Sequence, residues 1–318
     1  MEYVKLGKTE ERVSRIGLGA WQFSDAWGVT DYEKAKAVIA KAHELEVNLI
    51  DTAMIYGRGM SERFIGQALR DLNIKRDEVF IVTKIPGEYL SRDDVIKAVR
   101  GSLKRLQVSH IDALLAHWPP AWHNIPTCEY ARAFERLVDM GLVRYIGLSN
   151  FPIALVEEFR TCMSRHDVEI FELRYNIVER WAEEEHLPYA EANRITVLAW
   201  SPLAQGAVLG KYTLEDVTKF QDVRRNNVLF RPHNYQQIAR LVEAMKEVAS
   251  AHGKTLAQVA LNFIITSSSV VVPIPGAKTP EQVEENVGAI GWSMTFDEWS
   301  KLNEISRSLR ISYVDIPE

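Results

Sequence analysis

The chain lacks features that define several large classes of protein. It has two cysteines, Cys128 and Cys162, whose spacing is not CxxC. We therefore expect no disulfide framework and favour a reducing compartment. No run approaches the ~18 apolar residues of a membrane span. The N-terminus reads MEYVKLGKTEERVSRIG, which is charged and lacks the apolar stretch of a signal peptide. These absences favour a cytoplasmic protein with no membrane partner.

An excess of charge of one sign is also missing. Lys and Arg total 38, Asp and Glu total 43, and the formal net charge is −5. This balance excludes a strongly basic nucleic-acid-binding protein but leaves room for one local basic pocket. Hydrophobic residues make up 47% of the 318 residues, so a large core needs no metal or disulfide.

Several catalytic signatures are absent as well. The sequence contains neither the GxSxG of serine hydrolases nor the GxxxxGK[ST] of phosphate-binding loops. His117 and His123 do not have a zinc-ligand pattern, so no metal is expected. The nearest match to the dinucleotide fingerprint GxGxxG runs from Gly17 to Gln22 and lacks the third glycine. A doubly wound sheet is therefore weakened as an alternative fold, although it is not excluded.

What is present is a repeated alternation of apolar, strand-like runs with amphipathic, helix-like runs. The strand candidates are rich in Val, Ile and Leu, as strands buried on both faces are. They are 15–21, 48–53, 79–84, 111–118, 143–150, 169–176, 195–203 and 270–278. This pattern predicts a single α/β domain over 1–318, a (β/α)8 TIM barrel. Residues 3–14 predict an N-terminal β-hairpin, and residues 295–308 predict an extra C-terminal helix.

Helix starts are indicated by polar pairs spaced three residues apart, as in a capping box. These pairs are Thr30 with Glu33, Ser91 with Asp94, and Thr255 with Gln258. In the stretch 201–233 the apolar residues have no clear periodic spacing, and Gly, Asn, Arg and Pro are frequent. A loop of that length in a compact domain is usually functional, so we expect it to take part in binding.

Polar side chains stand at the ends of three apolar strand candidates. Strand two ends in Asp51 and is followed by Tyr56, strand three ends in Lys84, and strand four ends in His117. Taken singly, each has a structural explanation: a loop cap for Asp51, packing for Tyr56, a surface position for Lys84 and a rim position for His117. In a barrel, however, these strand ends meet at one mouth, which favours a shared active site.

The chemistry of the four side chains is complementary. A tyrosine with an ordinary pKa near ~10 is a poor acid at neutral pH. A neighbouring Lys84 ammonium would lower the pKa of Tyr56, and Asp51 would keep that ammonium charged. A neutral His117 imidazole could donate a hydrogen bond to a carbonyl oxygen. The set suits protonation of the oxyanion that forms when hydride adds to a carbonyl.

These segments closely resemble the aldo-keto reductase family, and the resemblance covers essentially the whole chain. The matching pieces are GLGAW (17–21), NLIDTAMIYGRGMSERFIG (48–66), VFIVTKI (79–85), SLKRLQVSHIDALLAHWP (102–119), GLVRYIGLSNF (141–151), AWSPLAQGAVLGKY (199–212) and IPGAKTPEQVEEN (274–286). The resemblance implies a barrel with NADP(H) bound across its mouth. It also implies that Tyr56 is the general acid/base and that Asp51, Lys84 and His117 complete a catalytic tetrad.

The resemblance further implies a set of cofactor-binding residues. They are Gly19, Ala20, Trp21, Asp51, Ser149, Asn150, Glu172, Trp200, Ser201, Pro202, Leu203, Gln205, Gly206, Gly210, Lys211, Gly276, Ala277, Lys278, Gln282, Glu285 and Asn286. Ser149 and Asn150 would bind the nicotinamide carboxamide. The family usually has Gln where this chain has Glu172, and a stacking Tyr where it has Trp200. A carboxylate can still accept from an amide, but it places a charge near the ring.

The segment after the last strand candidate predicts a phosphate site. Thr279 resembles an N-cap, Pro280 fits the first helical position, and Gln282 would complete a capping box. A helix that starts there offers free N–H groups and the positive end of its dipole. With Lys278 beside it, the site suits the 2′-phosphate of NADP(H), although Gln282 could instead only cap the helix.

We therefore expect an NADP(H)-dependent oxidoreductase that reduces small aldehydes or ketones to alcohols and acts as a monomer. Aromatic residues near strand ends could line its substrate pocket, namely Trp21, Trp27, Tyr89, Trp118 and Trp122. An alternative is a nicotinamide-binding regulatory subunit with little turnover, because the chain also resembles potassium-channel β subunits. An isomerase or sugar-lyase barrel is a third possibility, which absence of nicotinamide binding would favour.

Overall fold

The structure is a computed structural model that describes residues 1–314. Within that range the strands are β1 (Tyr3–Lys5), β2 (Arg12–Ser14), β3 (Leu18–Gly19), β4 (Leu49–Asp51), β5 (Phe80–Ile85), β6 (Ile111–Ala116), β7 (Val143–Ser149), β8 (Val168–Arg174), β9 (Thr196–Trp200) and β10 (Val271–Pro273). Strands β1 and β2 form the predicted antiparallel hairpin. Strands β3 to β10 form one parallel sheet in sequence order.

Helices connect the strands of this sheet. Over residues 1–314 the α-helices are α1 (Tyr32–Glu44), α2 (Met60–Asp71), α3 (Arg92–Leu106), α4 (Thr127–Asp139), α5 (Ile153–Cys162), α6 (His186–Asn193), α7 (Leu214–Val217), α8 (Pro232–His252), α9 (Leu256–Ser267), α10 (Pro280–Val287) and α11 (Phe296–Ser308). Helix α11 is the predicted extra C-terminal helix, and Thr295 caps its N-terminus. Within residues 1–314, none of the helices combines the length and the hydropathy of a membrane span.

The sheet closes on itself, which confirms the (β/α)8 barrel. Gly17 N donates to Pro273 O at 2.9 Å, and Gly19 N donates to Pro275 O at 3.0 Å. A parallel bridge also joins Gly19 to Gly276. At this seam a Cβ on Gly19 would lie 2.6 Å from the carbonyl oxygen of Ile274, so only glycine fits. A doubly wound sheet stays open, and that alternative is therefore wrong.

Two apolar layers follow from the alternation of side chains along each strand. The inner cluster fills the barrel and includes Leu49, Val82, Leu115, Ile170 and Leu198. The residues between them, such as Ile50 and Ile81, face the helices and join the larger outer cluster. Leu6 and Val13 of the hairpin belong to the inner cluster, so the hairpin closes the amino-terminal end of the barrel.

The capping pairs show where the sequence placed helix starts well and where it did not. Ser91 accepts a hydrogen bond from Asp94 N, and Thr255 with Gln258 forms a full capping box, as predicted. The start predicted at Thr30 is wrong by one residue. Asp31 is the N-cap of α1, and its side chain accepts from Glu33 N. A carboxylate is a good acceptor at this position and also complements the helix dipole.

Cys128 and Cys162 form a disulfide, which the cysteine count did not predict. Cys128 lies in the first turn of α4 and Cys162 at the end of α5, with their Cα atoms 4.9 Å apart. The two helices pack against each other, so the bond joins neighbours in space that are 34 residues apart in sequence. The cysteines therefore give no support to the expectation of a reducing compartment.

The stretch 201–233 is not a featureless loop. It contains the short helix α7, which Thr213 and Asp216 cap, and several turns of 3-10 helix. Aromatic rings hold the segment together, because Phe220, Phe230 and Tyr212 pack against one another at centroid distances of 4.9 to 6.1 Å. The segment is thus an ordered, packed region beside the barrel mouth.

Candidate active site

Side chains alternate between the two faces of a strand, and this alternation places the predicted polar residues inside the barrel mouth. Leu49 faces inward on β4, so Asp51 does too; on β5 the inward series is Phe80, Val82 and then Lys84. Lys84 Nζ donates to both carboxylate oxygens of Asp51 at 2.7 Å and to Thr52 O at 2.9 Å. The Lys84 side chain has no exposed surface. The surface position that would explain Lys84 taken singly is therefore wrong, and the lysine is the centre of a buried ionic cluster.

Tyr56 reaches this cluster from the loop after β4. Its hydroxyl oxygen is 3.4 Å from Lys84 Nζ, and the ammonium lies 5.1 Å from the centroid of the Tyr56 ring. Met54 N donates to Lys84 O at 3.3 Å, which ties the loop to β5. The tyrosine and the lysine, 28 residues apart in sequence, are thus within reach of a proton transfer.

The pKa of Tyr56 departs from the sequence expectation. Burial raises it, and this effect outweighs the opposing charge of Lys84; Asp51 and Glu172 raise it further. The net pKa of Tyr56 is raised, so the expectation of a lowered value is wrong. Tyr56 is fully protonated at neutral pH, which is the form that can donate a proton.

His117 lies at the end of β6, beside Tyr56, with ring centroids 5.8 Å apart. Burial lowers its pKa well below the ordinary value, and the charge of Lys84 lowers it further. The imidazole is therefore neutral at pH 7, as expected. Its buried Nδ1 has no hydrogen-bond partner within residues 1–314. This environment favours the tautomer that carries its hydrogen on Nε2 and can donate into the cavity.

Glu172, which the sequence resemblance implied as a cofactor-binding residue, has a contact with Lys84 that the sequence did not predict. It follows the inward-facing Ile170 on β8 and is 2% exposed. Its Oε2 lies 3.2 Å from Lys84 Nζ, so the lysine stands between two carboxyl groups. Burial raises the pKa of Glu172 well above its ordinary value, and the charge of Asp51 adds to this effect. The residue expected to bind a nicotinamide amide is also part of the ionic cluster.

A cavity of about 710 Å³ opens above this cluster. It is lined by the tetrad residues Asp51, Tyr56 and His117, while Lys84 lies beneath them. Most of the residues implied as cofactor-binding also line it. Exceptions among the described residues are Ala20, Gly210 and Ala277. The cavity extends from the tetrad to Lys278 and Asn286, an elongated shape that suits a dinucleotide.

Asn150 joins the strand ends at the mouth. It has a left-handed backbone with φ of 60°. Its Nδ2 donates to His117 O at 3.1 Å and to Ser149 Oγ at 2.9 Å, and its Oδ1 accepts from Trp200 Nε1 at 3.1 Å. The amide thus positions His117 and Trp200. The guanidinium of Arg174 covers one face of the Trp200 ring at 4.5 Å.

The segment after β9 contains a run of left-handed backbone. Ser201, Ala204, Gln205 and Gly206 all have positive φ, from 49° to 96°. Glycine adopts this region most readily, so the fold holds three other residues of this segment in a less favourable backbone conformation. Successive residues of this kind form concave groups of N–H donors that bind phosphate.

Two cations stand at the far end of the cavity. Lys278 Nζ lies 5.1 Å from the centroid of the Trp27 ring. Burial lowers the pKa of Lys278, and the charge of Arg224 lowers it further, so the two cations are close. Arg224 also lines the cavity and stacks on Phe220 at 4.2 Å. Sequence reasoning missed Arg224, although the pair Arg224-Arg225 in a long loop was a signal for a basic pocket.

The helix start beside Lys278 is as predicted in all but one respect. Thr279 caps α10 by accepting from Gln282 N, and Pro280 is at its first turn. The expected capping box is wrong in its second half, because Gln282 Oε1 accepts from Lys278 N at 2.7 Å rather than from Thr279 N. Gln282 therefore fixes the backbone of the lysine. This cradle of cations, helix N–H groups and glycine fits a dinucleotide phosphate.

Aromatic side chains line the cavity from the tetrad to Lys278. Trp118 lies beside His117 and Trp21 is 6.2 Å from the Tyr56 ring, whereas Trp27 packs against Trp21 at 5.5 Å and lies next to Lys278. Tyr89 and Trp122 are not among its lining residues, and Trp122 is 94% exposed. The aromatic pocket is thus built from three of the five predicted residues.

Comparison with known proteins identifies the family. The model of the aldo/keto reductase family matches residues 15–307, and the chain belongs to that family of oxidoreductases. It is 32% identical to aldo-keto reductase YhdN of Bacillus subtilis, over 96% of this chain and 93% of that protein. It is also 32% identical to a probable voltage-gated potassium channel subunit beta of Oryza sativa, over 91% of each chain. An NADH-specific methylglyoxal reductase of Escherichia coli is 30% identical, over 97% of this chain and 99% of that protein.

Solved structures agree with this assignment. The glycerol dehydrogenase AKR11B4 from Gluconobacter oxydans superposes with a TM-score of 0.87 at 28% identity, covering 99% of this chain and 98% of that one. An aldo/keto reductase from Klebsiella pneumoniae, solved in complex with NADP and acetate, has a TM-score of 0.75 at 26% identity, covering 99% of each.

Proposed function

We propose that this protein is an NADP(H)-dependent reductase that converts small aldehydes or ketones to alcohols. The observation that carries this proposal is the buried Lys84 ammonium, 3.4 Å from the Tyr56 hydroxyl at the floor of the cavity. A protonated tyrosine beside a cation, in a site lined by aromatic rings, is equipped to protonate a carbonyl oxygen. The NADP complex of the Klebsiella pneumoniae relative supports the choice of cofactor.

The residues of the site divide the work of reduction. When bound, the reduced nicotinamide supplies a hydride to the carbonyl carbon. Tyr56 donates its proton to the carbonyl oxygen, and the Lys84 ammonium stabilises the phenolate that remains. Neutral His117 orients the carbonyl by donating from Nε2. Asp51 holds Lys84 in place through the two 2.7 Å hydrogen bonds.

The other residues would hold the dinucleotide. Lys278 and Arg224 would pair with a 2′-phosphate, and the positive-φ segment Ser201–Gly206 would bind the pyrophosphate. Trp200 would stack on the nicotinamide with the face opposite Arg174. Gln282, Glu285 and Asn286 would line the adenosine side.

Oxidation of NADPH in the presence of a panel of aldehydes and ketones tests the proposal, with NADH as the control cofactor. We expect turnover with small aldehydes and a lower Kd for NADPH than for NADH. Failure to bind either nicotinamide cofactor would overturn the proposal and favour an isomerase or sugar-lyase barrel instead.

A regulatory subunit is the second candidate, because the Oryza sativa relative is named a channel subunit. Such a protein would retain the cofactor tightly and turn over negligibly with every carbonyl in the panel. We favour the enzyme because the cavity above Tyr56 is open to a substrate and lined by the three tryptophans.

A further inference from the structure

The ionic cluster under the cavity holds one carboxyl group more than its single cation requires. Lys84 is flanked by Asp51 and Glu172, and all three side chains are buried. A buried pair of opposite charges is balanced, whereas a second buried anion carries a large desolvation cost. The additional charge must therefore be compensated or removed by a proton.

Glu172 has a weaker contact with the Lys84 ammonium than Asp51 has. The three hydrogens of the Lys84 ammonium are shared among four closer-aligned acceptors, namely both oxygens of Asp51, Thr52 O and, at the longest distance of 3.4 Å, Tyr56 OH. Glu172 Oε2 lies only 3.2 Å away but has no hydrogen-bond partner within residues 1–314. Both carboxyl groups lie within 3.2 Å of the same Nζ atom, so they are close neighbours. Two buried carboxyl groups this close to each other repel when both are ionised, and a proton on one of them removes the repulsion.

We propose that Glu172 is a neutral carboxylic acid in the resting protein and serves as the internal proton reserve for Tyr56, acting through Lys84. This inference rests on the proposed function. The route is short, since Lys84 Nζ lies 3.2 Å from Glu172 Oε2 and 3.4 Å from Tyr56 OH. Glu172 is thus a positioning and proton-holding residue behind the tyrosine.

The proton balance is complete within the site. Tyr56 gives its O–H proton to the carbonyl oxygen while hydride forms the new C–H bond, which leaves a phenolate. Lys84 then gives one N–H proton to the phenolate and takes the proton of the Glu172 carboxyl group. At the end Tyr56 and Lys84 are restored, Glu172 is a carboxylate, and the oxidised nicotinamide carries one positive charge.

Electroneutrality gives a reason for this arrangement. Before the reaction, the charges of Lys84 and Asp51 cancel; afterwards the new Glu172 carboxylate cancels the charge of the oxidised ring. The other titratable groups facing the pair are Tyr56 and His117, which are both neutral at pH 7 because of burial. A site that stays neutral avoids the cost of an uncompensated charge in a buried space. A Gln at this position could not lose a proton.

Proton release on cofactor binding tests the proposal without turnover. The protein is mixed with saturating NADP⁺ or NADPH in weakly buffered solution containing a pH indicator, at neutral pH. We expect NADP⁺ to release about one proton more per site than NADPH, because the oxidised ring favours the Glu172 carboxylate. Any proton released by the 2′-phosphate is common to both cofactors and cancels. Equal release from the wild-type protein would overturn the proposal.

Two variants assign the released proton. Glu172→Gln is expected to bind both cofactors and to lose the difference in proton release. Glu169→Gln is the matched control, because Glu169 is a half-buried glutamate on the same strand β8 but contacts Lys8 at the other end of the barrel. It should release the proton as the wild type does. A difference that persists in Glu172→Gln would contradict the proposal, whereas failure of the wild type to bind either nucleotide would instead reject the proposed function.

A stopped-flow experiment gives a second readout. In a single turnover of the wild type, proton uptake from solvent should lag behind the loss of reduced-nicotinamide absorbance, because Glu172 supplies the first proton. In Glu172→Gln the two signals should coincide, because the phenolate must be reprotonated by water. Coincident signals in the wild type would contradict the internal reserve.

Discussion

Replacing Lys84 by Met removes the cation from the centre of the buried cluster while keeping a side chain of similar length. The ammonium is the donor for both oxygens of Asp51, at 2.7 Å, and has no exposed surface. Removing one partner of a buried ion pair typically costs about 3–5 kcal/mol, because the remaining charge is left unpaired. We expect the Lys84→Met variant to lose stability of that order near pH 8.

The loss should depend on pH in a defined direction. Burial already raises the pKa of Asp51 and Glu172 in the folded protein, and without Lys84 both values rise further. A carboxyl group with a raised folded pKa stabilises the fold below its unfolded pKa and loses that contribution as pH rises through the folded pKa. Each such group changes the free energy of unfolding by up to about 1.4 kcal/mol per pH unit. The variant should therefore be closer to wild type at pH 5 than at pH 8.

Urea unfolding of both proteins at pH 5 and pH 8 measures this difference. Lys246→Met is the matched control, because Lys246 is a half-exposed lysine whose partner Glu243 is on the helix surface. Its substitution should have no measurable effect at either pH. A Lys84→Met variant that lost less than about 1 kcal/mol, equally at both pH values, would refute the ionic cluster described above.

Two further predictions concern the cofactor and the disulfide. Lys278→Ala should raise the Kd for NADPH about 10- to 100-fold, as loss of a charge-assisted hydrogen bond does, and should change the Kd for NADH little. Lys254→Ala is the control, because it removes a lysine that lies over the ring of Trp292. Equal losses of affinity for both cofactors in Lys278→Ala would contradict the phosphate assignment. Tryptophan fluorescence quenching measures both constants. Cys128→Ser should lower the free energy of unfolding by about 3–4 kcal/mol, as expected for a crosslink spanning 34 residues. The wild-type protein in reductant should have the same stability as the variant. Two titratable thiols in the untreated wild type would contradict the disulfide.

The fold was predictable because its signal is local and repeated. Each buried strand is a short apolar run, and the periods of the intervening helices are clear. The barrel closes at a narrow seam of two backbone hydrogen bonds and the bridge between Gly19 and Gly276, for which the sequence offered only the two glycines of GLGAW. The disulfide was missed because it depends on the packing of α4 against α5, which no local pattern encodes.

The candidate site was predictable where strand ends supply its residues and less so elsewhere. The inward positions of Lys84 and Asp51 follow from the alternation of side chains along their strands. Arg224 was missed because it lies in a segment without a hydrophobic periodicity. The direction of the Tyr56 pKa could not be read from sequence, since it depends on how far burial outweighs Lys84. The same is true of Glu172, whose importance lies in the distance to Lys84 rather than in its own motif.

Comparing Tyr56→Phe with wild type in single-turnover reduction of an aldehyde by NADPH tests the central claim most directly. The lost hydroxyl has one long hydrogen bond, to Lys84 at 3.4 Å, so folding and NADPH binding should hardly change. The rate of the chemical step should fall by about 10²- to 10⁴-fold, the usual contribution of a positioned proton donor. A Tyr56→Phe variant that binds NADPH normally and reduces the aldehyde at the wild-type rate would contradict the account.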